Sequence, residues 1–390
     1  MINALKMTVS IAFLSAGMVS AQLLSETTPA VANTYVGTSQ GVYLFKTASS
    51  GALTLVKGSP FKTRGFAVGS NGTNFISVSA TALYSYQVES DGAIGKQVSE
   101  LNTKSNKGTS CTGGSGGYMT AELDKTGKNV YVLYEDPSGP GGSQCTAILT
   151  FDIAAKTGAL SYKSSLAVGG NNGYLLGLPS LTANNTFGYT TNAFGCCGES
   201  TEWSGFKRES NGELENIEFT SDDPHGGYVP FFATAGYGDY VAAIVATNPG
   251  PDEYGPEKLA SYTVNSKGDI ASTNIASKMP TIAGNQASLL SISPSGKLIA
   301  VAGFSSGLQI FHFNGAQPVT SFSAELDTKS GFDSVCWDND NHLYALSFAS
   351  GKTPAQLFVY DVTPTSIKEA PGSPYKVNAS PQALAVVPIG

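Results

Sequence analysis

A pattern of hydrophobic and polar positions recurs seven times along the chain. Each copy contains an apolar strand that ends in an aromatic residue, a short polar turn and a second strand. The aromatic residues are Phe45, Tyr86, Phe151, Phe206, Tyr262, Phe311 and Tyr360. In five copies a glycine follows six or seven residues later. These glycines are Gly51, Gly92, Gly158, Gly212 and Gly268. The spacing indicates that one structural unit is repeated.

Each unit also has an upstream pair of strands joined by a polar turn. Examples are "GFAVGSNGTNFISVSA", "YMTAELDKTGKNVYVLY", "SLLSISPSGKLIAVAGF" and "DSVCWDNDNHLYALSF". Four strands in each unit, at intervals of about 40–65 residues, are typical of the blades of a β-propeller. The sequence therefore predicts an all-β protein with seven blades.

The two ends of the chain supply complementary parts of one blade. "SPQALAVVPIG" at the C-terminus has the pattern of a first strand with no partners after it. Near the N-terminus, "NTYVGTS", "GVYLFK" and "ALTLVKG" have the pattern of second, third and fourth strands with no first strand before them. We therefore predict a seven-bladed β-propeller over residues 34–390, closed by N- and C-terminal strands that share one blade.

Residues 1–21 have the features of a signal peptide. Lys6 gives a positive start, "MTVSIAFLSAGMV" is apolar, and Val19 and Ala21 are the small residues before a cleavage point. The run is short for a transmembrane helix, and the other interpretation is a buried N-terminal helix. Residues 22–33 are predicted as a flexible leader. The expected location of the protein is outside the cytoplasm, in the periplasm or the extracellular space.

Composition narrows the range of partners. Charged residues make up 13% of the chain, the net charge is −7, and there are 45 glycines. A net negative charge disfavours binding to nucleic acid or to anionic membranes. We expect no nucleic-acid partner, no membrane insertion, no cofactor and a monomeric protein whose ligand is a small polar molecule or a glycan.

Several blade motifs resemble those of a known family. "YVGT" in the first blade, "SPSGKLIAVAG" and the repeated "GAL" turns are similar to the seven-bladed lactonase family, which includes 6-phosphogluconolactonase-like propellers and fungal carboxy-muconate cyclase. The resemblance covers most of residues 34–390. It implies a sugar lactone or other cyclic ester as substrate, and His, Arg and carboxylate side chains around the channel mouth as the chemical groups. This chain has three His and two Arg.

The longest predicted loops share one face of the ring, where binding sites usually lie. They are "ELNTKSNKGTSCTGGSGG", "EDPSGPGGSQC", "NAFGCCGESTEW" and "ATNPGPDEYGPEK". His225 precedes a first strand on this face and is a candidate general base or hydrogen-bond donor, or else a structural loop histidine. Arg64 has the matching position in the second blade and is a candidate clamp for a carboxylate or phosphate, or else a surface residue. Glu253 is a candidate catalytic acid.

Other residues are assigned to binding or to structure. The candidate binding residues are Asn172, Gln286, Asp333 and Glu135. Structural roles are predicted for His312, on a third strand, and for His342, after the "DND" turn. Arg208 is expected on the opposite face, away from the site.

The five cysteines are compatible with disulfides in an exported protein. We predict a disulfide between Cys111 and Cys145. The adjacent Cys196 and Cys197 form either a vicinal disulfide or cross-links to the first pair. Cys336, on a first strand, is predicted to be a buried free thiol. No histidine lies close to the adjacent cysteines in sequence, so no metal site is predicted.

Two functions are compatible with these features. One is an exported lactonase-like hydrolase or isomerase that acts on a small polar ring at the long-loop face of the channel. The other is a non-catalytic propeller that uses the same face to bind a protein or a glycan.

Overall fold

The computed structural model describes most of the chain outside the N-terminal segment and several loops. The described residues are 29–102, 116–136, 145–168, 173–175, 177–194, 200–222, 228–247, 255–273, 276–284, 286–304, 306–323, 326, 330–339, 342–351 and 353–389. They form seven small sheets, each dominated by antiparallel pairing. The seven-bladed β-propeller predicted from the repeats is confirmed.

The first three blades are regular. The N-terminal strands of blade 1 are β1 (Ala30–Thr38), β2 (Gly41–Ala48) and β3 (Leu53–Leu55). Blade 2 consists of β4 (Phe66–Ser70), β5 (Asn74–Ser79), β6 (Ala82–Val88) and β7 (Ile94–Asn102). Blade 3 consists of β8 (Gly117–Leu123), β9 (Asn129–Asp136), β10 (Cys145–Ile153) and β11 (Leu160–Val168).

Blades 4 and 5 depart from the simple repeat. In blade 4 the innermost position is divided between β12 (Gly173–Leu175) and β13 (Ser180–Leu181), followed by β14 (Phe187–Phe194), β15 (Ser200–Arg208) and β16 (Leu214–Asn216). Blade 5 consists of β18 (Tyr228–Tyr237), β19 (Tyr240–Thr247), β20 (Lys258–Val264) and β21 (Ile270–Ser272). The short strand β17 (Ser221–Asp222) adds to the outer edge of β21 in parallel.

Blades 6 and 7 complete the ring. A 3-10 turn (Ala276–Lys278) precedes blade 6, which consists of β22 (Ala287–Ile292), β23 (Leu298–Gly303), β24 (Leu308–Asn314) and β25 (Gln317–Ser321). Blade 7 consists of β26 (Phe332–Trp337), β27 (His342–Ser347), β28 (Gln356–Thr363) and β29 (Ser366–Glu369), and β30 (Tyr375–Lys376) also pairs with β28.

The last strand, β31 (Pro381–Pro388), closes the ring. It pairs antiparallel with β1, with Ala32 opposite Pro388 and Val36 opposite Leu384. The predicted sharing of blade 1 between the two ends of the chain is therefore confirmed. β1 begins at Ala30, inside the segment that we predicted as a leader, because the backbone there continues the ladder with β2 and β31.

The core lies between neighbouring blades. All seven repeated aromatic residues are on third strands and are buried, with at most 7% of the surface of each exposed. Each apolar cluster combines side chains of two adjacent blades, such as Ile76 of blade 2 with Val132 and Phe151 of blade 3. Burial of each such side chain stabilises the fold by roughly 1.5–3 kcal/mol, so the blades hold one another in place.

The antiparallel topology gives the ring two different faces. Turns from first to second strand and from third to fourth strand lie on one face, which we call the lower face. Loops from second to third strand and from one blade to the next lie on the other, the upper face. Residues 103–115, 137–144, 195–199 and 248–254 are outside the described residues.

At the lower face an ion pair joins blades 3 and 4. Arg208, at the end of β15, donates from Nη2 to Asp124 Oδ2 at 2.8 Å and to Asn129 Oδ1 at 2.9 Å. Its Nε donates to Tyr131 Oη at 3.0 Å. The side chains of Arg208 and Asp124 are 10% and 0% exposed. Arg208 therefore lies on the lower face, at the end of a third strand as predicted, where it links two blades.

The residues of blade 7 that correspond to Asp124, Asn129 and Tyr131 form a different polar network, beside the boundary with blade 1. Asp338 Oδ2 lies 2.6 Å from His342 Nδ1 and accepts a hydrogen bond from Tyr344 Oη at 3.0 Å. Asp338 Oδ1 accepts from the backbone N–H of His342 at 2.9 Å. All three residues are buried. His342 lies against the turn at Gly51 of blade 1, where an added Cβ would be 2.9 Å from the imidazole Cδ2.

Candidate functional site

The central channel contains a cavity of about 490 Å³. This volume is within the range of roughly 300–1,000 Å³ for small-molecule sites. Its described lining residues come from innermost strands of five blades and the segments next to them. They are Thr120, Ala121, Glu122, Gly177, Leu178, Ser180, Thr190, Ser288, Leu289, Leu290, Asp333, Ser334, Val335, Cys336 and Leu384.

β-bulges shape the wall of this channel. In blades 1, 3, 6 and 7 the innermost strand carries one extra residue relative to its neighbour in the sheet. The extra residues are Gln382, Met119, Ser288 and Asp333. The strand pairing on either side of the bulge has the same register in all four blades. The four residues therefore lie at the same height along the channel axis. A bulge leaves its residue outside the ladder and redirects its side chain, and bulges are common beside functional sites.

Asp333 is the acidic bulge residue. Its Oδ2 accepts a hydrogen bond from Ser334 Oγ at 2.8 Å. Burial raises the pKa of the Asp333 carboxyl above its ordinary value, and the hydrogen bond from Ser334 opposes this shift only in part. Blade 6, next to it, contributes Ser288 at the same height. Asp333 and the two serines form a set of polar groups that can bind the hydroxyl groups of a ligand.

Glu122 is a second carboxyl in the channel wall. Its side chain is exposed and lines the channel cavity, where the protein around it excludes part of the bulk water from the carboxylate. Burial raises its pKa to about 7, against the opposing charge of Lys125. Among the described residues, no side chain or backbone group forms a hydrogen bond or ion pair with the Glu122 carboxylate. A carboxyl with this pKa can gain and lose a proton near neutral pH.

The two carboxyls lie on different walls and at different heights. Glu122 pairs with Tyr131, and Cys336 pairs with Tyr344 at the equivalent register. Glu122 and Cys336 are therefore level, whereas Asp333 is three residues closer to the upper face. Three residues correspond to about 10 Å along a strand. The separation leaves space for a small ligand between the two carboxyls.

Cys336 lines the same cavity as a free thiol. Its Sγ donates a hydrogen bond to the Leu384 carbonyl at 3.4 Å. Burial raises the pKa of the thiol to about 12, so the thiolate is scarce at neutral pH. The prediction of a free thiol agrees with this arrangement, and Cys336 is unsuited to act as a nucleophile.

Three of the residues predicted for the site lie outside this cavity lining. Arg64 Nη1 forms an ion pair with Oε2 of Glu100, which is on the outermost strand of blade 2, at 3.1 Å. The Arg64 side chain is 66% exposed. Gln286 precedes β22, and its backbone N–H donates to Glu257 Oε1 at 2.9 Å. Glu135 lies near the upper end of β9, opposite Thr146. Of the predicted residues, the structure places Asp333 in the channel.

The remaining predicted residues lie outside the described part of the chain. They are His225, Glu253, Asn172, Cys111, Cys196 and Cys197, together with the side chain of Cys145. Their catalytic, binding and disulfide roles stay predictions. The signal peptide predicted over residues 1–21 also falls outside the described residues.

Glu122 was not among the residues predicted from sequence. The segment "YMTAEL" was interpreted only as a first strand, in which every second residue faces a neighbouring blade. A signal was present, because Glu122 is an acidic residue within an innermost strand rather than in the turn that follows. A carboxyl that is partly removed from bulk water within a strand is a candidate functional residue.

No group of three or more His, Cys, Asp or Glu side chains in the described ranges is arranged to hold a metal ion. No helix in the same ranges has the length and apolar character needed to cross a membrane.

Comparison with solved structures identifies proteins of the same architecture. A Bacteroides uniformis protein with a provisional 6-phosphogluconolactonase assignment has a TM-score of 0.60 and 12% sequence identity, with 92% of this chain and 100% of that chain covered. A Bacteroides fragilis protein with the same provisional assignment has a TM-score of 0.59 and 14% identity, with 94% and 100% covered. The periplasmic gluconolactonase of Pseudomonas aeruginosa has a TM-score of 0.58 and 14% identity, with 92% and 99% covered.

These similarities extend over nearly the whole chain but rest on low sequence identity. They establish the fold, which is that of lactonase-type seven-bladed propellers, and the resemblance seen in the sequence is confirmed at this level. No protein-family model matches the chain, and no curated protein matches its sequence.

Proposed function

We propose that this protein is an exported lactonase that hydrolyses a small, hydroxyl-rich lactone in the central channel. The observation that carries the proposal is Glu122, a carboxyl that titrates near neutral pH inside a cavity of about 490 Å³. The shared fold with lactonase-type propellers supports the substrate class. The sequence features of residues 1–21 support export.

Glu122 has the properties required of a general base. In its ionised form, the carboxylate accepts a proton from a water molecule while the water oxygen bonds to the lactone carbonyl carbon. The C=O electron pair moves to the carbonyl oxygen. When this intermediate collapses, the ring C–O bond breaks and Glu122 returns the proton to the leaving oxygen. The product is an open-chain hydroxy acid.

The opposite part of the wall supplies binding groups. Asp333 and Ser288 lie about 10 Å above the level of Glu122 and Ser334 about 7 Å above it, so these groups are suited to hold the hydroxyls of one small ring. The innermost strands pair on one side only, so their other backbone edge faces the channel. N–H groups on that edge are suitable donors for the negative oxygen that forms during attack.

The experiment is lactone hydrolysis by the purified chain, followed by titration of the acid released from a panel that includes δ-gluconolactone. Glu122→Gln is expected to reduce the rate by about a hundredfold or more. Glu215→Gln, an exposed change on the outermost strand β16, is the matched control and is expected to retain the wild-type rate. Loss of activity in both variants, or in neither, would contradict the assignment.

The pH profile provides an independent test. Because the ionised form of Glu122 accepts the proton, the rate is expected to fall as pH decreases through about 7. Among the described residues, Lys125 and Tyr131 interact electrostatically with Glu122. A general-base role for His225 remains the competing proposal. Full activity in Glu122→Gln combined with its loss in His225→Ala would transfer the role to His225.

The non-catalytic alternative is also tested by this panel. It predicts that lactones or related sugar acids bind but remain intact. Isothermal titration calorimetry with δ-gluconolactone and gluconate, beside the hydrolysis assay, separates binding without turnover from hydrolysis.

A further inference from the structure

A second cavity lies between blades 4 and 5 and shares no described lining residue with the channel cavity. It has a volume of about 400 Å³, which is again in the range for small-molecule sites. Four of its eight described lining residues are aromatic. The eight residues are Glu202, Trp203, Phe219, Ser221, Tyr228, Val229, Pro230 and Tyr262. We call this cavity the aromatic cleft.

The indole of Trp203 is held in a fixed orientation. Its ring makes edge contacts with Tyr189 and Tyr262, with ring centroids 6.4 and 5.1 Å apart. Both tyrosines are buried, at 0% and 1% exposed, while Trp203 is only half-buried. The exposed part of the indole is therefore preorganised, so a ligand that packs on it does not have to immobilise the side chain.

Polar groups around the cleft are available to a ligand. In the described part of the chain, Trp203 Nε1, Tyr228 Oη and the Glu202 carboxylate form no hydrogen bonds. Together they offer an N–H donor, a hydroxyl that donates and accepts, and an acceptor-only carboxylate. An apolar ring surface bordered by mixed donors and acceptors matches a molecule with one apolar face and hydroxyl groups around its edge.

The charges of the cleft favour a neutral ligand. Aromatic rings beside a carboxylate are also a way to bind cations. Here, however, Lys258 Nζ already lies over the Tyr228 ring, 5.3 Å from its centroid. Its positive charge repels a second cation at the Tyr228 ring.

We propose that the aromatic cleft is a binding site for a neutral pyranose sugar. The C–H groups of one sugar face pack on the Trp203 indole, and the sugar hydroxyls bind Glu202, Tyr228 Oη and Trp203 Nε1. This site is separate from the channel and does not depend on the lactonase proposal.

The test is saturation-transfer NMR of the full-length mature protein with neutral sugars: glucose, galactose, mannose, maltose and cellobiose, each at millimolar concentration. At least one sugar is expected to show transfer that is lost in Glu202→Gln and in Trp203→Ala. Glu202 is exposed, so Glu202→Gln leaves the fold intact even if Trp203→Ala does not. Glu215→Gln serves as the matched control and is expected to retain the signal.

The chain also contains its own optical probe. Trp203 is half-buried in the cleft, whereas Trp337 is 7% exposed and donates from Nε1 to the Ser291 carbonyl at 3.1 Å. Sugar binding is therefore expected to change Trp203 fluorescence, and the change should be absent in Trp203→Phe.

Three outcomes would overturn the proposal. They are no transfer to any of the sugars, transfer that persists in Glu202→Gln, and stronger binding of choline than of every neutral sugar. Transfer that is lost in Glu122→Gln but kept in Glu202→Gln would assign the sugar to the channel and also reject the cleft.

Discussion

The contacts between blades 3 and 4 and those between blades 7 and 1 use equivalent positions for different interactions. In both, an aspartate in the turn after the innermost strand accepts from the backbone N–H of the residue that starts the second strand. Asp124 then pairs with Arg208 of the neighbouring blade, whereas Asp338 pairs with His342 of its own blade. The ion pair of blades 3 and 4 crosses the blade boundary, whereas the contact between Asp338 and His342 stays within blade 7.

This difference shows that the ring is held together by two kinds of contact. Blades 7 and 1 meet through apolar packing, such as Tyr344 and Leu357 with Val36, and through a hydrogen bond from the Leu53 N–H to Tyr375 Oη at 2.8 Å. Blades 3 and 4 add a buried charge that requires its partner from the other blade. Removal of single groups should therefore be more damaging between blades 3 and 4.

The largest effect is expected where the closing strand itself is removed. Deletion of residues 383–390 removes most of β31, together with the buried side chains Leu384 and Ala385, and exposes the edge of β1. We expect loss of the cooperative unfolding transition in differential scanning calorimetry. Deletion of Gly390 alone is the control. A truncated protein that melts at the wild-type temperature would show that closure by β31 is dispensable.

Arg208→Met is expected to have the next largest effect. It leaves Asp124, which is 0% exposed, as a buried charge without its cationic partner. The free energy of unfolding should fall by about 3–5 kcal/mol in urea denaturation at neutral pH. Arg208→Lys, which keeps the positive charge, should lose less.

The pH dependence of this variant gives a sharper test of the same pair. Burial raises the pKa of Asp124, but hydrogen bonds from Thr126 and Asn129 and the charge of Arg208 outweigh it, and the net pKa is lowered. The ionised Asp124 carboxylate therefore stabilises the native state at pH values above the unfolded-state pKa of about 3.8. This stabilisation is lost as the pH falls through the lower pKa that Asp124 has in the native state. The difference between wild type and Arg208→Met should shrink toward pH 3. A difference that is constant with pH would contradict the ion-pair explanation.

His342→Asn tests the other boundary and should have a smaller effect. Asparagine occupies the equivalent position in blade 3, at Asn129, so the substitution fits the repeat. Asp338 loses the imidazole but keeps hydrogen bonds from the backbone N–H at position 342 and from Tyr344. We expect a loss of about 1–3 kcal/mol in the free energy of unfolding. A loss larger than that of Arg208→Met would reverse the comparison.

The smallest effect concerns Glu122, which lies on β8 two residues before Asp124 and forms no hydrogen bond or ion pair among the described residues. Its pKa is raised from 4.5 to about 7, so the native state is destabilised as pH rises through this interval. Glu122→Gln should therefore melt at a slightly higher temperature than wild type at pH 8 and at the same temperature near pH 4.5. A lower melting temperature at pH 8 would indicate that the carboxylate stabilises the fold.

The sequence was sufficient to predict the ring because each blade repeats the same side-chain pattern. The seven third-strand aromatics, the shared first blade and the lower-face position of Arg208 all follow from strand order and turn spacing. The broken innermost position of blade 4 and the parallel addition of β17 did not follow, since short strands are set by contacts that local patterns do not encode.

The site was less predictable than the ring. Asp333 was predicted as a binding residue, but its position in the channel results from a bulge, which depends on a register that only the folded sheet defines. Arg64 precedes the innermost strand of blade 2, as predicted. Its guanidinium, however, forms an ion pair with Glu100 on the outermost strand of that blade. The aromatic cleft combines Trp203 and Tyr228 from two blades and has no linear motif.

The bulges also bear on how such a protein can change. Gln382, Ser288 and Asp333 stand outside the backbone ladder and away from the apolar contacts between blades, so substitutions there alter the channel wall with little disturbance of packing. A ring built in this way separates the residues that maintain the scaffold from those that line the channel. Substitutions at the bulges therefore change the chemistry of the channel wall at low risk to folding.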